Sequence, residues 1–388
     1  MIDLGIIGAG PAGAMAAIEA ARSGLQVALW DRATFPRDKV CGEFLSPESI
    51  PLLEKVVPAE LSRAATIRRA EFYSKKGRSH CVIFPMPGAG LSRQTLDNAL
   101  WRAAAAAGAD CHENQAVTRV SKRRSSVGDD GPVWEVASEG AVPAGVRDLL
   151  LACGRWWKVD GLPSPVDFRN KRSRGGEWVG AKAHFAGIEL RDAVEMYFFQ
   201  GGYCGLAPTE GGIYNACFLL RRTLARSRRR GRAADFRTWI NEVAEHPALA
   251  ERLRSGVQAS ETIATAPVVP ARRSAILGGA LAIGDAAGFL DPFTGDGISI
   301  ALHSGQLAAC ELVRGLRRPP LQAALRYRRH LNQSVRRTYF WAALLRALLR
   351  APVDLQDWIA STLPSFATAR FLSATRWRRA GAAQEIVG

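Results

Sequence analysis

Two glycine-containing stretches, nearly the whole chain apart, carry the residue types and spacings that could do chemistry. The first is Gly8-Ala9-Gly10-Pro11-Ala12-Gly13, set between an apolar run at 2–7 (IDLGII) and a helix-compatible run at 11–23. Gly8 permits a tight turn, Gly10 lets the backbone approach a pyrophosphate, and Gly13 lets the helix pack on the strand. The diphosphate then rests on free N–H groups at the positive end of a helix that opens with Pro11. Asp31 stands eighteen residues after Gly13, at the end of the next apolar run, 26–30 (QVALW). A carboxylate there accepts from a ribose 2′-hydroxyl and disfavours a 2′-phosphate, which suits the AMP half of FAD or NAD.

The second stretch runs Gly284-Asp285-Ala286-Ala287-Gly288-Phe289-Leu290-Asp291-Pro292 and continues through Phe293-Thr294-Gly295-Asp296-Gly297 into a helix. Asp285, at a strand end, places one carboxylate where a polyol hydroxyl can donate to it. The Gly295/Gly297 turn presents backbone N–H groups and a positive helix end, which suits the pyrimidine edge of a flavin. NAD needs the first stretch alone, whereas FAD, with its ribityl chain, needs both.

The elements that must position these residues read as β-turn-α-β at the start, a helix over 93–107, and strands at 115–121, 132–138 and 147–152. A β-rich region follows over 177–220, and a strand at 279–283 then feeds a helix from about 296 to 314. The fold class expected is α/β: a glutathione-reductase-type, Rossmann-like FAD domain with an inserted mixed β-sheet substrate domain and C-terminal helices. The FAD domain is expected at 1–65, 91–160 and 271–315, the substrate domain at 66–90 and 161–270, and a helical region at 316–388. The segment 123–131 reads as a surface hairpin or loop, and 221–232 as an exposed helix or loop.

Composition narrows the function classes. With 47% hydrophobic and 23% charged residues in 388, a sizeable core is available and global disorder is excluded. Lysine plus arginine number 52 against 36 acids, yet only eight are lysines and none lies beyond Lys182. The excess is arginine on a solvated surface, or a basic face for lipid or an acidic carrier; no nucleic-acid-reading module accompanies it. Seven scattered cysteines without a CxxC pair point to reduced thiols and no metal site. Asp3 follows at once on the N-terminus without a positive leader, so no signal peptide is expected, and no apolar run approaches the ~20 residues that span a bilayer. The expected location is cytoplasmic.

These motifs resemble the superfamily of FAD-dependent aromatic hydroxylases and geranylgeranyl reductases, over about 1–315. Pro36-Arg37-Asp38-Lys39-Val40-Cys41-Gly42 looks like the PxxKxCG segment of the geranylgeranyl-reductase-like branch, which lies against the flavin ring. Residues 200–208 (QGGYCGLAP) resemble the segment that closes over the isoalloxazine from the substrate domain. Arg93, after Leu91-Ser92, matches an arginine that these flavoproteins direct at the cofactor. The resemblance implies FAD held by Gly8, Gly10, Pro11, Ala12, Gly13, Asp31 and Arg32 on the ADP side, with Lys39, Cys41, Gly42 and Arg93 beyond. Gly284 and Asp285 would hold the ribityl chain, and Pro292, Gly295, Asp296, Gly297 and Ile298 would border the ring. One departure stands at 152–154, where hydroxylases show Asp-Gly and this chain reads Ala152-Cys153-Gly154. The chain also lacks the WxWxIP segment and lysine pattern of tryptophan halogenases, and halogenation is not expected.

Two activities follow from the resemblance. The first is hydroxylation of a hydrophobic aromatic or polyketide-like molecule by a monooxygenase, through a C4a-hydroperoxyflavin. The alternative is flavin-dependent reduction of a C=C bond in a prenyl or lipid-like substrate, which the KxCG segment favours. Either takes electrons from NAD(P)H or a partner reductase. Cys41, Tyr203 and His184 are the catalytic candidates, with Tyr197, Phe199, Tyr203, Tyr214 and Phe218 as candidate pocket floor. A third reading is an electron-carrying flavoprotein at a membrane surface, since 336–351 (RRTYFWAALLRALLRA) sets an apolar stripe beside Arg346 and Arg350. That helix otherwise packs on the flavin domain.

Overall fold

The computed structural model describes residues 2–77, 79–122, 134–163, 178–223, 236–240, 245–315, 320–349 and 376–377. The segments 123–131 and 224–232 discussed above therefore lie outside the described residues, as does most of the chain beyond 349.

The first β-turn-α-β unit forms as the apolar spacing requires. The strand Ile2–Ile7 turns at Gly8 into the helix Pro11–Arg22 and returns as the strand Val27–Trp30. Gly8 sits at φ 102, and a Cβ there would collide with the Ala152 carbonyl. An L-residue is thus excluded by both backbone conformation and space. The strands Ile2–Ile7, Val27–Trp30, Asp110–His112, Ala144–Leu151 and Ala280–Ala282 pair in parallel, in the spatial order 280–282, 144–151, 2–7, 27–30, 110–112. An antiparallel hairpin, Val117–Lys122 with Trp134–Ser138, joins this sheet through Ala144–Leu151.

The second sheet contains Ala65–Tyr73, Ser79–Gly90, Trp178–Ala186, Ala193–Phe199, Gly202–Pro208 and Tyr214–Arg221, chiefly antiparallel. The short strand Phe44–Leu45 also hydrogen-bonds into this sheet, opposite Gly90 and Ala89. One surface of the sheet packs apolar side chains such as Ala181, Phe185, Tyr197, Phe199, Tyr214 and Phe218 against Phe236, Ile240, Leu249 and Leu253.

The helix Gly297–Gly315 lies along Pro11–Arg22. The two backbones approach so closely that a Cβ on Gly305 would strike the Ala12 carbonyl, and one on Gly284 would lie 2.9 Å from the Ala12 Cβ. The two chemical stretches, 250 and more residues apart, thereby meet at one crevice. The long helix Pro320–Leu349 covers the outer side, burying Ala323, Ala324, Tyr327, Leu331 and Val335 against the same core. The Tyr327 hydroxyl donates to the Ala282 carbonyl (2.7 Å). Among the described residues no helix is long and apolar enough to cross a membrane.

Candidate functional site

The crevice is floored by the Gly8–Gly13 turn. Asp31 is buried at the end of its strand, where it accepts from the Ala9 N–H (2.7 Å), the Ala33 N–H (2.9 Å) and Arg37 Nη1 (2.8 Å). These bonds fix the carboxylate beside the glycine turn. Arg32, next in sequence, is exposed. Space above Gly10 is open, the nearest atom to an added Cβ being Arg37 Nη2 at 3.8 Å. Arg37 Nη2 is buried without a hydrogen-bond partner, while Nε is ion-paired with Asp97 Oδ2 at 3.4 Å. An orphaned guanidinium N–H over a glycine turn at a helix N-terminus is the donor set that a diphosphate satisfies. Arg37, absent from the residues singled out by sequence, belongs to the site.

Lys39 reaches solvent through the open crevice, yet it is walled in by surrounding protein. That burial, with Arg37 and Arg93 nearby, lowers its ammonium to about 8. A cation held under this strain gains from an anionic ligand. On the opposite wall Asp285 follows Gly284, and among the described residues no protein donor reaches its carboxylate. Burial raises its pKa, and Arg155, Arg93, Lys39 and Arg273 offset this only in part. Arg273 Nη1 donates to the Asp285 carbonyl (2.9 Å), holding the turn itself. A half-buried carboxylate lacking a protein donor fits a polyol hydroxyl, so the residues present fit FAD on both halves of the crevice.

Arg93 begins the helix Arg93–Ala106, whose N-cap Ser92 accepts from the Thr95 N–H (3.2 Å). Burial works against the Arg93 charge, but a bidentate pair with Asp97 (2.7 and 2.8 Å) overcomes it and raises the pKa. The nearby Cys41 side chain adds to that rise. The Arg93 guanidinium is therefore committed to Asp97, and Arg37 Nη2 is the guanidinium group left for a phosphate.

Beyond the cysteine lies a buried polar cluster. Glu43 is fully buried with φ 57, and its N–H donates to Cys41 Sγ (3.4 Å). Its Oε1 accepts from the Arg93 N–H (2.7 Å) and from Lys182 Nζ, and its Oε2 bonds His184 Nε2 (2.7 Å). Lys182, also fully buried, donates a second bond to Asp38 (2.6 Å). Burial alone lowers an ammonium's pKa, but Glu43 and Asp38 reverse the shift and raise it. Donor atoms of Asp38, Glu43 and His184 lie within 4.8 Å of one another, but the Lys182 ammonium bonds both carboxylates and supplies the positive charge there. Asn215 Nδ2 donates to the Cys41 carbonyl (2.9 Å). Gly42 is exposed, with nothing within 4 Å of an added Cβ.

Strand parity decides which side chains of the second sheet face this loop. Gly180, Lys182 and His184 alternate along one strand, opposite Leu219, Cys217 and Asn215 of its neighbour. Tyr203 lies on the same surface in an apolar group with Trp178 and Leu219, against Phe198 and Phe293. Of the aromatics expected as pocket floor, Tyr197, Phe199, Tyr214 and Phe218 have the opposite parity and point into the far core. That expectation is corrected because a one-residue offset reverses a strand side chain.

The loop from Pro292 ends in Gly295 at φ 65, and Gly297 starts the following helix, with Ile298 buried. The Asp296 side chain is turned away from solvent entirely, accepting from Ser46 Oγ (2.9 Å) and the Trp377 N–H (2.9 Å). Cys153, at the departure from the hydroxylase pattern, points its thiol at the Ile7 carbonyl (3.4 Å), and burial raises it to about 12.

Residues 1–129 match the family described as FAD binding domain. The chain is 28% identical over 324 residues to digeranylgeranylglycerophospholipid reductase 2 of Methanopyrus kandleri, covering 79% of this chain and 75% of that protein. It is 29% identical over 332 residues to menaquinone reductase of Mycolicibacterium smegmatis, with 79% and 75% covered. Among solved structures, the flavin-dependent brominase Bmp2 superposes with TM-score 0.76 at 20% identity, covering 97% of this chain and 94% of that one. A geranylgeranyl bacteriochlorophyll reductase-like protein from Thermoplasma acidophilum gives 0.74 at 19% identity, covering 96% and 95%.

Proposed function

We propose that this chain, whose residues 1–129 match the FAD binding domain family and which is similar to reductases, is an FAD-dependent oxidoreductase that reduces a C=C bond in an apolar, isoprenoid-like substrate. In this reading 1–65, 91–160 and 271–315 form the FAD unit and 66–90 with 161–270 the substrate unit. Bound FAD supplies the hydride-transfer chemistry, its electrons coming from NAD(P)H or a partner reductase. Gly8, Gly10, Gly13, Asp31, Arg37 and Lys39 hold the ADP side, and Asp285 holds the ribityl chain.

One observation carries the choice of reaction. Cys41 Sγ accepts from the Glu43 N–H (3.4 Å), on the loop that resembles PxxKxCG. Reduction of an alkene takes up one hydride and one proton, so the chain must hold a proton donor. Cys41 is that donor: its S–H bond breaks as the second C–H bond forms, and the Glu43 N–H faces the sulfur left behind. Tyr203, with Trp178, Leu219 and Phe293, walls the apolar side and excludes water. Incubating the reduced holoenzyme anaerobically with polyprenyl alkenes should give product heavier by two hydrogens and reoxidised flavin.

Hydroxylation is the second reading, favoured by the aromatic grouping in which Phe293 lies 5.6 Å from Phe198 and 5.5 Å from Tyr203, which suits a planar aromatic substrate. The same experiment in labelled dioxygen separates the two. Incorporation of one labelled oxygen, with no anaerobic turnover, would overturn the reductase assignment.

A lipid-like substrate also gives meaning to the outer face of the helix Pro320–Leu349. Its buried side packs on the core, while Arg328, Arg329, Arg336 and Arg337 are exposed beside Phe340 and Leu344, which are 66% and 51% exposed. That mixture supports peripheral contact with an anionic bilayer. The full-length protein should float with anionic vesicles at low salt, and Arg336→Glu with Arg337→Glu should release it. Failure of the parent protein to float would remove the membrane role.

A further inference from the structure

The polar surface of the substrate-side sheet meets the 38–43 loop at every second residue. Lys182 takes Asp38 and Glu43, His184 takes Glu43, Asn215 takes the Cys41 carbonyl, and Gly180 leaves room for Val40, whose Cγ1 stands 3.2 Å from the position of an added Cβ. Those contacts come from two paired strands on one face, since Lys182 is opposite Cys217 and His184 is opposite Asn215. Apolar packing could hold a loop at lower cost, because each buried ion carries a desolvation penalty of several kcal/mol. Directed charges instead fix one arrangement. Glu43 is also held at φ 57, a conformation that a non-glycine residue keeps only where its surroundings over-determine it.

We infer that Glu43, Lys182 and His184 are positioning residues: a charged clasp by which the substrate-side sheet sets the placement of Cys41 against the flavin. The inference rests on the proposed function only in placing Cys41 beside the ring. Lys182 neutralises Glu43 and Asp38 together, so its loss would leave two carboxylates in one buried space and drive the loop apart. Glu43 additionally accepts from the backbone N–H of Arg93, so the same clasp also holds the first residue of the helix Arg93–Ala106. Asp97, Arg37 and Lys39 face the loop from the FAD side and touch neither Glu43 nor Lys182 by hydrogen bond among the described residues.

The test is visible-region circular dichroism of FAD in the purified holoenzyme, which reads the ring's surroundings without any substrate. Glu43→Gln and Lys182→Met should each retain bound FAD and alter its visible bands, while Lys182→Arg should restore them. Where the single variants do not fold, the double variant Glu43→Gln/Lys182→Met replaces them, because it removes the fully buried carboxylate together with its ammonium and leaves only the half-buried Asp38 charged. With an alkene substrate, kcat of these variants should fall on the order of 100-fold with KM little changed, the usual loss for an ångström-scale misplacement. A folded double variant with the parent's visible bands overturns the inference, whatever the substrate assay gives. So does loss of FAD from that variant, since the residues would then serve binding rather than placement. A failed alkene assay with altered bands overturns the proposed reaction and leaves the clasp standing.

Discussion

Asp285→Ala is expected to yield folded protein that is largely colourless, with bound FAD below about a tenth of the parent's, since a hydrogen bond to a charged group is worth about 1.5–3 kcal/mol and a polyol offers more than one. The parent carboxylate stands ready for this loss. Burial raises its pKa, no described protein donor reaches it, and the neighbouring cations Arg155, Arg93, Lys39 and Arg273 act through space. A ribityl hydroxyl would supply the missing donor. There is an opposing effect, because removing a negative charge near a diphosphate site favours the anion. Asp285→Asn separates the two: it keeps an acceptor and removes the charge. If the hydrogen bond dominates, Asn should retain clearly more FAD than Ala. If charge dominates, both variants should bind at least as well as the parent, and the assignment of Asp285 fails. Asp31→Ala should weaken FAD less, because the Ala9 and Ala33 N–H groups and Arg37 that now bind Asp31 would remain at the glycine turn as donors. Absorbance near the flavin maximum against that of the protein measures all three.

The reason Asp285 was legible in the sequence and Glu43 was not lies in how each is positioned. The glycine turn, the helix Pro11–Arg22 and the Gly284–Gly297 stretch are built by neighbours within a few residues, so spacing alone shows them. Glu43 is placed by Lys182 and His184, which are 139 and 141 residues away, and Asn215 reaches Cys41 across 174. No local rule reports such partners. One trace does exist: Lys182 and His184 interrupt an otherwise apolar strand (WVGAKAHFA) at alternate positions. A strand that carries a lysine into a core must aim it at a carboxylate, and that parity already marks the surface toward the site. Tyr203 shares it, whereas Tyr197 and Phe218 do not. Aromatic content alone gave the wrong side, since both surfaces of this sheet are buried and hydrophobicity does not distinguish them. Arg37 was missed for another reason: its value lies in an Nη2 group left without a partner, which only the packed structure displays.

Asp296 provides the second large effect, a dependence of stability on pH. Its carboxyl is fully buried between Ser46 and the Trp377 N–H, and burial, with Glu48 nearby, raises it to about 7. Arg376, Ser46 and the Trp377 N–H act in the other direction without cancelling that shift. An unfolded aspartate titrates near 3.9, so the folded chain binds this proton more tightly. The stabilisation is therefore fully present below about pH 4 and is lost as pH rises through about 7. At 1.36 kcal/mol per unit, a gap of about three units sets its size at roughly 4 kcal/mol. Asp296→Asn should remove this component: the difference between parent and variant in urea midpoint should change steadily from pH 4.5 to 8, with the parent losing ground. The group couples two parts of the chain, because Asp296 follows the Gly295 turn at the cofactor crevice while Arg376 and Trp377 come from the far end of the sequence. Trp377 stacks on His303 at 5.1 Å, and Arg376 lies over Phe44 at 5.5 Å, so the pair is held from both sides. If parent and variant keep parallel profiles, Asp296 is ionised throughout this range and its attraction to Arg376 outweighs burial. Parallel profiles would then make Arg376→Met the damaging substitution, since it would strand a buried carboxylate without its cation.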